Sequence, residues 1–362
     1  MKKILLLLTS VLAGCSTGTD NIPARQVSRS DSLELVKENT VRIELDGHTT
    51  PWFSSVYYKN DTLYYHNSLG GRIEMSDWET GKKLPGYIRT KEKPYSFNPV
   101  SGDSVYIMAL DEELILLYNA SSTVTDTVLP GKPVSIMPGG QGQPYIAGDK
   151  LIYVTTSGDE YMAGAVINRR TGAAEFCLPY PEIYKKYYYG DLLPHIPYSA
   201  FNPSQRQIVV GFPADRHLYV LDIDSMSTET YDVPYSEWKD LRPLSRIHSD
   251  LVVKEQKKMD YFRESMTYAN ILYDGYRNIY YRIVELPTPM PGTLLSLKGK
   301  KLAVMILDDG FNILGETIIE DETVNTFRYT AFVSEEGLNI QLISSEDEAV
   351  FATYRPEPKQ RP

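Results

Sequence analysis

Thiols and imidazoles are scarce in this chain, and their scarcity removes whole classes of chemistry. Of 362 residues, two are cysteine and five are histidine. Cys15 has another use, argued below, so Cys177 has no partner for an internal disulfide. A Cys/His zinc site or a cysteine redox pair cannot be built from it either. Basic residues are in the minority, 37 Lys and Arg against 47 Asp and Glu, for a formal charge of -10. That balance argues against a nucleic-acid surface. No apolar run beyond residue 13 approaches the roughly 20 residues a membrane-spanning helix needs. Catalytic signatures are missing as well: there is no Gly-x-Ser-x-Gly elbow and no His-Glu-x-x-His helix. Pro138-Gly139-Gly140-Gln141-Gly142 is glycine-rich but no Lys-Ser/Thr follows, so it reads as a loop rather than a phosphate cradle. Asp222-Ile223-Asp224-Ser225 opens like a calcium loop, yet Ser227 stands where the glycine should be and Val233 where the last carboxylate should be. No metal and no cofactor are expected.

The N-terminus is well supplied. Met1-Lys2-Lys3 is a positive start, and an apolar core runs from Ile4 to Leu8 and from Val11 to Ala13. It is too short for a permanent span and fits a secretory leader. The core ends in Leu12-Ala13-Gly14-Cys15, which resembles the bacterial lipobox. The resemblance implies cleavage after residue 14 and acylation of Cys15. Residues 1–14 are therefore expected to be a signal peptide, 15–32 a lipidated cysteine with a polar tether, and 33–362 a single folded domain. Several acyl chains would anchor it durably, at roughly 0.8 kcal/mol per buried methylene.

Tyrosine is abundant, 28 residues in all, which suits β-sheet and also recognition surfaces. Short alternating strands separated by turn signals recur in one order. The first unit has Phe53–Tyr58, Thr62–His66, Arg72–Asp77 and a strand towards Tyr87. The second has Tyr95–Asn98, Ser104–Ala109, Leu114–Tyr118 and a strand ending near Leu129. The third has Tyr145-Ile146, Leu151–Thr155, Gly164–Asn168 and Ala174–Leu178. The fourth has Tyr198–Phe201, Gln207–Gly211, Leu218–Asp222 and Thr228–Val233. The fifth has Ala269–Tyr273, Asn278–Val284, Lys301–Leu307 and Phe311–Ile319. The sixth has only three: Phe327–Val333, Leu338–Ile343 and Ala349–Tyr354. One strand, Val41–Leu45, is left over at the other end. Pairing it with Ala349–Tyr354 completes the sixth sheet and closes a ring without free edges. The expectation is an all-β, six-bladed β-propeller; a seventh blade within residues 236–268 is the alternative. A short helix is expected near Val253–Lys258, and Tyr280-Tyr281-Arg282 reads as strand packing.

Asp61-Thr62-Leu63-Tyr64, with Asn67 and then Thr80-Gly81, resembles the blades of NHL and TolB-like six-bladed propellers. The lipobox, Tyr273-Asp274 with Tyr280-Tyr281-Arg282, and Asp308 to Glu316 make the chain similar to an uncharacterised family of propeller lipoproteins from Bacteroidetes. That likeness implies a fold and a cell-envelope location, with the outer membrane expected. Ser16-Thr17-Gly18-Thr19 lacks the acidic cluster of a surface-export signal in that phylum, so it assigns no side of the membrane. The family has no established activity to transfer, and the Asp motifs of sialidase-like propellers are absent.

Turns alternate between the two faces of such a disc. The long connections, 179–197, 234–267 and 285–299, all fall on one face, where function usually sits. That face is expected to present Trp52, Tyr161, Tyr187, Tyr188, His195, Tyr198, Arg216, His217 and Arg246, with Trp238, Arg242 and Arg263 near them. Aromatic rings and guanidinium groups together suit a glycan, a peptide or an envelope protein. A monomeric, membrane-anchored binding module is the first expectation. An envelope polysaccharide hydrolase or lyase using carboxylates in the central channel is the second.

Overall fold

Six antiparallel four-stranded sheets arranged around an axis make up the computed structural model. It describes residues 23–360 apart from 52, 54, 68–69, 90–93, 102–103, 110–113, 120, 130–143, 158–161, 191–194, 246–254, 289–298 and 325–329. Blade 1 is Val56–Lys59, Thr62–Asn67, Arg72–Asp77 and Lys83–Arg89, counted from the axis outward. Blade 2 is Pro94–Ser101, Ser104–Ala109, Leu114–Asn119 and Val124–Val128. Blade 3 is Tyr145–Ala147, Lys150–Ser157, Met162–Asn168 and Ala174–Pro179. Blade 4 is Tyr198–Asn202, Gln207–Phe212, Asp215–Asp222 and Thr228–Asp232. Blade 5 is Thr267–Asp274, Ile279–Glu285, Leu302–Leu307 and Ile313–Ile319. Blade 6 is Phe332–Val333, Leu338–Gln341, Glu348–Pro358 and, outermost, Leu33–Glu44. Among the described residues there is no seventh blade: 236–244 form no strand, and Glu255–Glu264 is a helix.

A local rule builds the outer hairpin of blades 1 to 4. The third strand ends in Asp or Asn, whose side chain accepts backbone N–H groups from the turn, and a residue with positive φ follows. Asp77 Oδ1 takes Thr80 N at 2.8 Å before Gly81 at φ 68°. Asn168 Oδ1 takes Thr171 N at 3.0 Å before Gly172 at φ 71°. Asp222 Oδ1 takes Ser225 N at 2.7 Å before Met226 at φ 58°. The Asp222 carboxylate is thus engaged in turning the chain, which accounts physically for the failed calcium-loop pattern. Between blades the faces interlock as apolar layers; at the closing seam of blades 6 and 1, Trp78 meets Phe332 edge-on at 4.8 Å and Phe351 at 5.7 Å.

Ring closure runs further than the expected Val41–Leu45. Leu33–Glu44 pairs along its whole length with Pro358–Glu348, in a register that sets Val41 against Phe351. Residues 25–32, expected as part of a tether, are instead laced backward across the outer edges of blades 5 and 4. Ser28, Ser30 and Ser32 exchange backbone hydrogen bonds with Ile313 and Leu314. Arg25 and Gln26 then lie parallel to Tyr231 and Asp232 as a fifth strand on blade 4. Polar composition misled here because the lace is ordered by main-chain pairing to a sheet edge, which shows no alternation in sequence.

Candidate functional site

The second-to-third turns and the inter-blade connections share one face, and three long ones, 180–197, 233–266 and 286–301, are tied together over blades 3 to 5. Tyr188 and Ser245 exchange backbone hydrogen bonds at 3.0 and 3.1 Å, joining the 180–197 connection to the 233–266 connection. The Tyr261 hydroxyl, on the Glu255–Glu264 helix, donates to the Arg242 carbonyl at 2.8 Å. Thr288 N donates to the Arg263 carbonyl at 3.1 Å, tying in the long connection of blade 5. Lys300, buried, donates to the Phe262 carbonyl at 2.8 Å and to that of Ser265. Cross-ties of this kind join the described parts of the three connections into a cap.

Beneath and beside the cap a cleft of about 880 Å3 opens, lined by Glu237, Lys239, Asp240, Leu241, Arg242, Tyr261, Glu264, Ser265, Met266, Leu286 and Pro287. Its size falls in the range of small-ligand sites, roughly 300–1,000 Å3. Its walls come from three separate stretches of chain, which only the ring brings together. Loop length marked these stretches in the sequence; Arg242 stood out there, whereas the carboxylates and apolar side chains did not.

The cleft's neighbour is a buried polar knot centred on Arg282, which is fully buried on the second strand of blade 5. Its guanidinium donates to Tyr198 Oη at 2.8 and 3.1 Å, to the carbonyls of Arg216 and Val233 at 2.7 Å each, and to that of Asp215 at 3.1 Å. It also lies 3.5 Å from the centroid of the Tyr268 ring, on which Trp238 stacks at 4.4 Å. Five donors in a planar fork suit this set of acceptors, and the ring adds a cation–π contact. The same residue thereby fastens the start of the Asp215–Asp222 strand and the start of the 233–266 connection to blade 5.

Beside it, Asp215 is buried and accepts His217 Nδ1 at 2.7 Å, the Tyr219 hydroxyl at 2.7 Å and His217 N at 3.1 Å. Burial pushes the Asp215 carboxyl up, but the hydrogen bonds and charge of His217 outweigh it and hold the group below the usual carboxylate range. The Asp215 hydrogen bond raises His217 against the opposing effect of burial. Asp232, 4.0 Å from His217 Nε2, pairs with Arg216 at 2.8 Å and accepts Gln26 of the lace at 3.2 Å. The raised imidazole contributes stability below its unfolded value near 6.5, lost as pH rises through its folded value; the depressed carboxyl contributes above about 4, lost on acidification. Stability relative to His217→Gln is therefore expected to be greatest near pH 5–6 and to shrink by pH 9. Urea midpoints at the two pH values check this, and a pH-independent difference would contradict it.

The structure scatters the residues expected on this face. Tyr198 and Tyr188 are buried, and Tyr187 is half-buried against the core between blades 3 and 4. His195 is half-buried, its ring 5.2 Å from that of Tyr184. These tyrosines pack the loops down and offer little open surface. Arg216 and His217 are partly exposed in the knot. Trp52, Tyr161 and Arg246 lie outside the described residues, as does Cys15. On the axis, the six innermost strands contribute a single carboxylate, Asp274, and it is bound by Arg277 at 3.0 Å and by the Tyr281 hydroxyl at 2.9 Å. Neutral polar groups face one another there instead, as where Tyr145 Oη donates to the Ser199 carbonyl at 2.8 Å.

Residues 135–318 match the family model described as a domain of unknown function, DUF4221. A crystal structure of a DUF4221 family member from Bacteroides vulgatus ATCC 8482 superposes with a TM-score of 0.77 at 20% identity, covering 91% of this chain and 99% of that one. A protein of Bacteroides fragilis NCTC 9343, named for its inferred export, superposes with a TM-score of 0.53 at 10% identity, covering 93% and 99%. No curated protein matches the chain.

Proposed function

The chain belongs to the DUF4221 family, and from that premise we propose that it is a lipid-anchored envelope protein that binds a ligand in the capped cleft. Leader 1–14, acylated Cys15 and an outer-membrane location form one reading, supported by the lipobox and by the inferred export of the Bacteroides fragilis relative. The observation that carries the binding function is a cleft lined by two long connections, 233–266 and 286–301, that are cross-tied to each other and, through Ser245, to the 180–197 connection. A cross-tied cap keeps a binding surface organised before the ligand arrives, which lowers the ordering cost of binding. A glycan, a peptide or an envelope protein segment are the ligand classes that suit such a surface. The lone, tied-down carboxylate of the innermost strands gives little support to polysaccharide cleavage in the channel.

The test is a block of the cleft floor. Met266 is half-buried at that floor, and Met266→Arg would place a long cation in the space. Binding to immobilised glycan and peptide arrays is expected to fall at least tenfold; because Met266 also packs against the apolar layer between blades 4 and 5, a modest fall in melting temperature is expected beside it. Undiminished binding by a folded variant would place the binding surface elsewhere.

A further inference from the structure

We propose that the cleft takes an extended peptide segment carrying both an acidic and a basic group; this rests on the binding reading above and names its ligand class. The warrant is the state of the charges around it. Lys239 and Arg242 line the same cleft as Glu237, Asp240 and Glu264. Among the described residues, the side chains of Glu237, Lys239, Arg242 and Glu264 form no ion pair or hydrogen bond, while Asp240 accepts only Trp238 Nε1 at 3.3 Å. Exposed charges do pair at some places on this surface, as Arg206 with Asp224 at 2.6 Å and Lys37 with Asp321 at 2.7 Å. Here both signs are held around one concavity without neutralising each other.

The backbone explains part of this. The Arg242 carbonyl is fixed by Tyr261 Oη, and the neighbouring Trp238 ring is fixed on Tyr268. The segment carrying the charges is therefore pinned at both ends, and its side chains are left to the solvent.

A ligand must match what it covers. A neutral glycan over this cleft would strip water from several charges and return only neutral hydrogen bonds, an unfavourable exchange. Sugars also favour open aromatic faces, and Tyr261 is the sole aromatic side chain in the lining. A peptide supplies carboxylate to Arg242, in the bidentate geometry guanidinium favours, and ammonium or guanidinium to Glu237 and Glu264. Its apolar side chains find Leu241, Leu286 and Met266, the last an adaptable thioether.

Fluorescence polarisation with the full chain in mild detergent tests this directly. The probes are fluorescein-labelled nonapeptides that are acidic, basic, neutral or mixed in charge, set beside neutral and acidic oligosaccharides. Mixed-charge peptides are expected to bind at least tenfold more tightly than the other peptides, with affinity falling as salt rises. Arg242→Glu should cut that binding at least tenfold, and E237Q together with E264Q should weaken peptides through their basic end only. Melting curves confirm that these exposed substitutions leave the fold intact. Peptide binding indifferent to charge overturns the proposal. Oligosaccharide binding that Arg242→Glu abolishes overturns the peptide class and keeps the cleft as a binding site. Failure of every probe overturns both.

Discussion

Arg282→Met is expected to be among the most damaging single substitutions in this protein, lowering the melting temperature by roughly 5 °C. The side chain is fully buried, and it supplies donors to Tyr198 Oη and to the carbonyls of Asp215, Arg216 and Val233. Methionine fills much of the volume but leaves those acceptors facing an apolar wall. Hydrogen bonds to a charged group contribute about 1.5–3 kcal/mol each, and a buried group left unsatisfied costs about 1–3 kcal/mol. Relief of the buried charge offsets part of this, so a net loss of about 3–5 kcal/mol is the expectation. Such a loss shifts the midpoint of a domain of this size by about 1–2 °C per kcal/mol. Arg282→Lys is the informative control: it keeps the cation but lacks the planar fork, so it should recover only a minor share. Because Arg282 also fastens the start of the 233–266 connection, limited proteolysis of the Met variant should begin in the cap. A Met variant as stable as the parent would mean that the knot is held from elsewhere.

The knot also shows why parts of this molecule were legible in sequence and others were not. Blade order was readable because the outer hairpins of blades 1 to 4 carry their own signals, such as Asp77 before Thr80-Gly81 and Asn168 before Thr171-Gly172. Those signals act within a few residues and owe nothing to the rest of the chain. Closure was readable from a count: the sixth unit lacked a strand, and Val41–Leu45 had no other place to go. Arg282 gave no such sign. Its partners are mostly backbone carbonyls, which every residue has, so no acidic residue in the sequence points to it. Tyr188 and Tyr198 had the chemistry of a binding face, yet long connections folded onto the disc need large side chains to pin them, and that requirement took these rings inward. The cleft joins 237–242, 261–266 and 286–287, a meeting that only the ring geometry creates. Its connections could be identified as long, but its charges could not be seen to lie together.

Removing residues 23–45 should abolish the cooperative monomer altogether, giving aggregation or a broad, weak unfolding transition. The outermost strand of blade 6 would be lost, and Glu348–Pro358 would become an open edge free to pair with another chain. Leu35 and Ile43, both buried, would vacate their sites, which at about 1.5–3 kcal/mol each is a large share of typical domain stability. The aromatic seam of Trp78, Phe332 and Phe351 would lose the strand that covers it. Removing only 23–33 should do less: the ring stays closed by 34–44, while blades 4 and 5 lose their lace. Gly315 separates the two contributions. A Cβ there would sit 1.8 Å from the Leu33 carbonyl oxygen, and its φ is not in the left-handed region, so the obstacle is Leu33, where the lace runs into the blade 6 strand. Gly315→Ala should therefore destabilise the full chain markedly and cost little once residues 23–33 are gone, a coupling read directly from a double-mutant cycle. Equal cost in both backgrounds would show that the lace does not bear on blade 5. A stable, monomeric protein lacking 23–45 would show that the ring holds without its N-terminal strand.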